Sequence, residues 1–448
     1  MKNPELLSTG QQDAITHIYE NDGAYLIGQM GSGKSVTALT AASELLAAGV
    51  VRRVLIVAPL RVCNDVWRQE HNSWSHLRHL NVSIATGAEK ARINAIGGAD
   101  FNVVVINFEN LVWFFKRYGA DHNFDMLVID EVTKIKAGGA GFKAMRKHIK
   151  DFLVRVVMTG TPVAESWADL FYCMFACDGG ARLGRNKQTF LMKYFYSTDY
   201  EQRKWDIRPE CINALTALIS DVVVVLPDYT DELPALLEQT VYVHLNERAR
   251  EYYDIFEADS VTDDVTADSA AIQVGKLQQI ASGFVYTDDG RTVTLCDSKL
   301  VRARTISHVE QAQGRAVVYV YQYREELERL ARAFPLGRQL GVSGADDAAT
   351  LAHWRAGALP ALFLHPKSAG HGLDLTTGAT MIILSPIWSR DLMRQVIARI
   401  WRRNQSRECR VYVLCARDTL DTEIVSREAG KGTHHELLMS RLSAKRRH

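Results

Sequence analysis

A short apolar run, Ala24-Tyr-Leu-Ile27, passes directly into Gly28-Gln-Met-Gly-Ser-Gly-Lys34-Ser35 and then into an Ala- and Leu-rich stretch from Lys34 to Ala48. The first pattern suits a buried strand and the last a helix, with Gly49 as its C-terminal stop. Strand, glycine loop and helix in immediate succession confine the chain to an α/β architecture, with loop amides turned toward an anion at the helix start. Gly28, Gly31 and Gly33 permit the tight turn; Lys34 adds a point charge for β- and γ-phosphate oxygens, and Ser35 a hydroxyl for Mg²⁺. With Ser32 these residues form the candidate nucleotide site.

The same grammar recurs along the chain. Val54-Leu-Ile-Val-Ala58, Val103-Val-Val-Ile106, Met126-Leu-Val-Ile129 and Val154-Arg-Val-Val-Met158 are runs of the kind that parallel strands buried on both faces require. Ala316 to Tyr321, Ala361 to Leu364, Met381 to Leu384 and Arg410 to Leu414 repeat the theme, separated by helical segments such as Arg324 to Phe334. Two doubly wound α/β lobes are expected, and only the first carries a phosphate loop. Residues 164–298 break the rhythm: they are mainly helical in pattern, with β runs at Asp221–Pro227 and Gln239–Val243 and an acidic, solvated stretch from Glu257 to Ala271. The expected domains are therefore 1–163, a helical insertion and linker over 164–298, 299–430, and a basic tail over 431–448.

Composition narrows the partners. A net charge of +1 over 448 residues excludes a globally basic nucleic-acid binder, so any such site must be a local groove. Seven cysteines without a C-x-x-C pair argue for reduced thiols in a cytosolic protein and against structural zinc. No stretch approaches the roughly 18 uninterrupted apolar residues of a membrane helix.

Hydrolysis needs carboxylates at the end of a buried strand. Asp130 and Glu131 follow Met126–Ile129 in the required order, Asp130 to hold the metal and Glu131 as general base. Val157-Met-Thr159-Gly-Thr161-Pro162 ends another buried strand with two hydroxyls and a glycine. Near the other end of the chain, Arg399 and Arg402 in Gln395-Val-Ile-Ala-Arg-Ile-Trp-Arg are expected one turn apart on a helix, sharing a face from which they could stabilise transition-state charge.

In this order the segments resemble a superfamily 2 helicase or translocase of the SNF type, in a compact phage or bacterial form; the likeness covers nearly the whole chain. It implies two RecA-like P-loop lobes. Gln11 resembles the glutamine that reads adenine. Pro59 and Arg61, with Trp67 beyond, resemble the strand and loop that touch the DNA backbone, and Asn107 the next DNA-side motif. Thr159 and Thr161 resemble the segment coupling nucleotide state to DNA grip. Val225-Leu-Pro227, the run from Leu245 to Tyr253, and Ser298-Lys-Leu300 match the SNF type rather than DEAD-box proteins. Lys367-Ser-Ala-Gly-His-Gly-Leu-Asp374 resembles the fifth motif, with Ser368 facing DNA and Asp374 near the ribose. Gln395 and Gln405 bracket a likeness to the sixth motif, which implies a coupling role for Gln395. Two departures stand out. Thr133 replaces the usual second-motif histidine, and Asn404 replaces a glycine, which is tolerable because asparagine accepts left-handed geometry.

The resemblance implies an ATP- and Mg²⁺-dependent motor that translocates on DNA, duplex favoured and without sequence preference. It would work in the cytosol of a bacterium or phage-infected host as a monomer, delivered by a separate targeting protein. A strand-separating DNA or RNA helicase and a non-translocating ATP-switched clamp are the alternatives.

Overall fold

The structure is a computed structural model that describes all residues except 1, 30, 99, 161, 163–165, 202–203, 230–231, 260–266, 288, 342–343, 369–372 and 431–448. It divides into two compact units, Met1–Tyr229 and Thr230–Lys431.

In the first unit, helix α1 (Thr9–Glu20) opens with a capping box: the Ser8 hydroxyl accepts from the Gln11 amide, and the Gln11 side-chain oxygen accepts from the Ser8 amide at 2.8 Å. Strands β1 (Gly23–Ile27), β2 (Val54–Ala58), β3 (Val82–Ala85), β4 (Val103–Asn107), β5 (Met126–Asp130) and β6 (Val154–Thr159) follow. After a small hairpin of β7 (Phe195–Ser197) and β8 (Trp205–Ile207) comes β9 (Val223–Val225). The seven-stranded sheet has the order β3-β4-β2-β5-β6-β1-β9 with every pairing parallel.

Every residue of β1, β2, β4 and β5 is buried, which explains why these runs are continuously apolar. Alternate residues feed opposite faces. Tyr25, Ile27, Leu55 and Val57 pack with Phe114 and Phe124, while Ala24, Leu26, Val54 and Ile56 pack with Leu39 and Leu45 of helix α2 (Lys34–Ala47). Helix α2 ends as its sequence dictates: Gly49 takes φ 70°, its amide bonds to the Leu46 carbonyl, and the Val50 amide bonds to Leu45.

The second unit holds β10 (Leu236–Val243), a hairpin of β11 (Phe284–Tyr286) and β12 (Thr292–Thr294), then β13 (Val317–Val320), β14 (Arg338–Leu340), β15 (Ala361–Leu364), β16 (Thr380–Ile383) and β17 (Cys409–Ala416). Its six-stranded sheet, β10-β17-β16-β13-β15-β14, is again wholly parallel. The expected pair of parallel sheets flanked by helices is thus present.

The segment 164–298 is not a body of its own. The division near residue 229 falls inside it, and its two β runs go separate ways, β9 to the first sheet beside β1 and β10 to the second beside β17. A lone strand satisfies its backbone only by joining a sheet, and each run takes an available edge. All seven cysteines are free thiols; six are buried and Cys211 is half-buried. Among the described residues, no helix is long and apolar enough to cross a membrane.

Candidate nucleotide site and its neighbours

The register of the first sheet gathers residues that are far apart in sequence. Ile27 pairs with Thr159, Asp130 with Met158, and Val57 with Ile129. Four adjacent strands, β2, β5, β6 and β1, therefore end side by side, presenting Pro59, Asp130, Thr159 and Gly28. The carboxyl edge of a parallel sheet is where ligands of such folds sit.

At that edge the glycines are needed for two reasons. Gly31 and Gly33 hold φ 85° and 83°, a region costly for any residue with a Cβ. Space is also short: a Cβ on Gly33 would come within 2.0 Å of Gln11 Nε2, and one on Gly28 within 2.5 Å of Ser32 Oγ. The Gly28 amide donates to the Thr159 carbonyl at 3.1 Å, which ties the loop to β6. Gln11 lies buried against the loop and donates through Nε2 to the Ser32 carbonyl at 3.0 Å. Its side chain therefore joins α1 to the loop.

Lys34 is buried, and its ammonium donates to the carbonyls of Gly28 and Gln29. Burial lowers its pKa, opposed by the charges of Glu131 and Asp130. Asp130 is shifted the other way: burial raises its pKa, opposed by Lys34 and by a hydrogen bond from Trp67. Glu131 is buried beside it, with left-handed backbone angles of φ 60° and ψ 57°.

These residues suit a polyphosphate and a hard divalent cation. A cation and two carboxylates share one buried place, the loop has no room for a Cβ at Gly28 or Gly33, and the buried Ser32 hydroxyl has no hydrogen-bond partner. Oxygen donors from Asp130 and the half-buried Ser35 are of the type Mg²⁺ takes.

The DNA-side candidates fare differently. Pro59 is buried at the end of β2 and Arg61 is half-buried in the turn after it. Asn107 is buried, and its side chain is engaged inside the unit: Nδ2 donates to Glu109 at 2.5 Å, Oδ1 accepts from Asn110, and Asn110 accepts from Arg92. Trp67, expected near DNA, is fully buried instead, with its indole N–H on Asp130 Oδ2 at 3.1 Å. Its neighbours Asn64, Asp65, Arg68, Gln69 and Glu70 read as a solvated helix, so local sequence hides the burial.

In the second unit, Arg399 and Arg402 do not lie on a helix. The helix Arg390–Ile397, which carries the half-buried Gln395, stops short of both; consecutive turns follow, in which the Arg399 amide bonds to Val396 and the Ile400 amide to Ile397. Arg399 is buried, its carbonyl accepting from the Leu375 amide at 3.0 Å. Arg402 Nη1 donates to the Leu373 carbonyl at 3.0 Å. Asp374 sits between these contacts, its Oδ1 accepting from the Thr376 amide at 3.0 Å and hydroxyl at 2.7 Å.

Gln405, buried, fastens the two loops by donating to the carbonyls of Thr376, Gly378 and Ile400. The arginine loop and the Asp374 loop are thus one clamped structure. Asn404 adopts φ 80°, the left-handed geometry expected where a glycine is usual. Ser368 closes the turn Pro366–Ser368. Its side chain, Thr161, Gly370 and Gly372 lie outside the described residues.

The fold and the site define a P-loop nucleotide hydrolase with two parallel-sheet units. The SNF2-related domain matches residues 13–288, and the chain belongs to that family. Protein p41 of Acyrthosiphon pisum secondary endosymbiont phage 1 is 31% identical over 96% of this chain and 97% of its own length. The DNA repair and recombination protein RDH54 of Saccharomyces cerevisiae is 20% identical over 97% of this chain and 53% of its own length. The chain spans about half the length of that relative and of RAD54 from Oryza sativa, of which it covers 49%. Among solved structures, the Sulfolobus solfataricus SWI2/SNF2 ATPase core in complex with dsDNA aligns over 97% of this chain and 93% of its own, with 21% identity and a TM-score of 0.45.

Proposed function

We propose that the protein hydrolyses ATP with Mg²⁺ to travel along duplex DNA through backbone contacts, without sequence preference. The observation that carries this reading is the convergence of Asp130, Glu131 and Thr159 at adjoining strand ends of one sheet with Lys34, at the start of the helix that follows β1 and within the field of both carboxylates. Amides of the glycine loop and the Lys34 ammonium hold the β- and γ-phosphates; Ser35 and Asp130 hold Mg²⁺, which when bound neutralises phosphate charge. Gln11 reads the adenine and Asp374 lies by the ribose.

Glu131 orients a water and takes its proton as the water oxygen bonds to the γ-phosphorus. The bond to the β–γ bridging oxygen breaks, and its electron pair leaves with ADP. The role we assign to Arg402 and Arg399 is to stabilise the charge on the transferring group. Pro59, Arg61, Asn107 and Ser368 form the DNA track, and Thr159, Thr161 and Gln395 couple it to the nucleotide. With Thr133 in place of a histidine, the Gly28–Thr159 backbone bond is one link through which that coupling can pass. We assign the monomer as the working unit, in the cytosol, with a separate protein choosing the target.

Phosphate release with and without duplex DNA tests this. Duplex should stimulate it. Lys34→Ala should abolish it, Glu131→Gln should lower turnover by about 10² to 10⁴, and Arg402→Ala by about 10³ or more with nucleotide affinity retained. No stimulation, or full turnover in Lys34→Ala, would overturn the reading. Triplex displacement separates travel from clamping, and release of a labelled strand separates travel from unwinding.

A further inference from the structure

Trp67 lies on none of the strand ends that form the nucleotide site, yet its indole N–H meets the carboxylate at the centre of that site. We infer that Trp67 is a positioning residue for the metal site: its indole N–H holds Asp130 Oδ2 and so fixes the orientation of the carboxylate that would bind the cation. The inference rests on the reading of Asp130 as a metal ligand.

The backbone that delivers Trp67 is unusual. Cys63–Trp67 forms a π-helical turn between a short helical turn, Leu60–Val62, and the helix Arg68–Ser73. Wider turns of this kind interrupt regular helix bonding and recur at functional sites. One extra residue rotates everything after it by about 100° relative to an unbroken α-helix, which here turns a tryptophan inward among polar neighbours.

Side chains anchor the turn along its length. The Cys63 thiol lies 3.5 Å from the Ala58 carbonyl and 3.4 Å from that of Ile106, at the ends of β2 and β4. Asn64 accepts from the Thr86 hydroxyl at 3.2 Å. Trp67 completes the series on Asp130 at 3.1 Å, with its side chain fully enclosed.

Packing alone does not account for this. A buried indole N–H needs an acceptor, but a backbone carbonyl would serve, and a buried carboxylate is a costly partner to choose. A neutral donor on one oxygen fixes the orientation of a carboxylate without cancelling its charge. Partners that orient metal ligands from behind in this way typically cost 10- to 100-fold in metal affinity when removed, an order of magnitude or more.

The test measures Mn²⁺ binding by electron paramagnetic resonance in the presence of ADP, and ADP binding in EDTA, for wild type, Trp67→Phe and Asp130→Asn. Trp67→Phe should bind Mn²⁺ about tenfold more weakly while keeping its circular dichroism spectrum and its metal-free ADP affinity. Unchanged Mn²⁺ affinity in a folded Trp67→Phe would overturn the inference. So would an equal loss of Mn²⁺ and metal-free ADP binding, which marks a merely structural role. If Asp130→Asn leaves Mn²⁺ binding intact, the metal assignment itself fails; if it abolishes binding while Trp67→Phe binds Mn²⁺ as tightly as wild type, only the role of Trp67 fails. Should Trp67→Phe not fold, 3-benzothienylalanine at position 67 keeps the bicyclic shape without the N–H, and the same two outcomes decide.

Discussion

Among the described residues, four without a glycine's freedom hold left-handed backbone: Asn123, Glu131, Asn404 and Asp418. Three are of the types that accept that geometry through local hydrogen bonding, and Glu131 is the exception. Strain held at a residue that also carries the candidate general base is the pattern of a site built for chemistry before stability. Asn404 makes the cost measurable. Asn404→Gly should leave the urea midpoint nearly unchanged, whereas Asn404→Val should destabilise by about 1 to 2 kcal/mol. Gly33→Ala should do worse, since φ 83° and the Gln11 contact oppose it together. The need for glycine at 28, 31 and 33 was legible in the sequence because the residue type states the geometry. The left-handed turn at Glu131 was not, because nothing in a glutamate announces its φ.

Whole elements were mostly readable where they are buried on both faces, as β1, β2, β4 and β5 are. Reading failed where a partner distant in sequence decides. Arg399 and Arg402 fit a helical spacing, but the carbonyls of Arg399 and Leu373 are bonded to another loop, and turns replace the helix. Similarly, β9 and β10 were visible as strands while the sheets that claim them were not.

The helix Ser298–Ala312 shows such a distant anchor with a titratable group. Glu310, near its end, accepts from Thr380 Oγ1 at 2.8 Å, Arg410 Nη1 at 3.1 Å and the Tyr412 hydroxyl at 3.0 Å. Burial pushes its pKa up, but the bonds from Thr380, Arg410 and Tyr412 together hold it below the ordinary glutamate value of 4.5. A depressed carboxyl pKa contributes stability above the unfolded value, and that stability is lost as pH falls through the folded one. Urea midpoints taken from neutral pH downward should therefore drop below about pH 4.5 in wild type. In Glu310→Gln that part of the drop should be missing, with a lower midpoint at neutral pH.

At the scale of the whole molecule, a net charge of +1 means that DNA must be met by a local basic surface. Contacts to phosphates release counterions, so affinity for duplex should fall at least about tenfold between roughly 50 and 200 mM salt. The slope should be the same for unrelated sequences of equal length. Fluorescence anisotropy titrations check both, and a sequence-dependent slope would argue for base reading. Two similar sheets, only one of them followed by a phosphate loop, also divide the labour: the candidate nucleotide residues Gly28 to Ser35, Asp130 and Glu131 all belong to the first unit.

The thiols offer a way to watch that division at work. Six are sealed inside the protein and Cys211, at the start of the helix Cys211–Ile219 in the first unit, is the one that solvent reaches. Maleimide added to the native protein should stop at one equivalent per chain, and mass spectrometry of peptides should find it on Cys211. A dye there, paired with an acceptor on DNA, would report each advance of the motor from a protein that needs no cysteine removed.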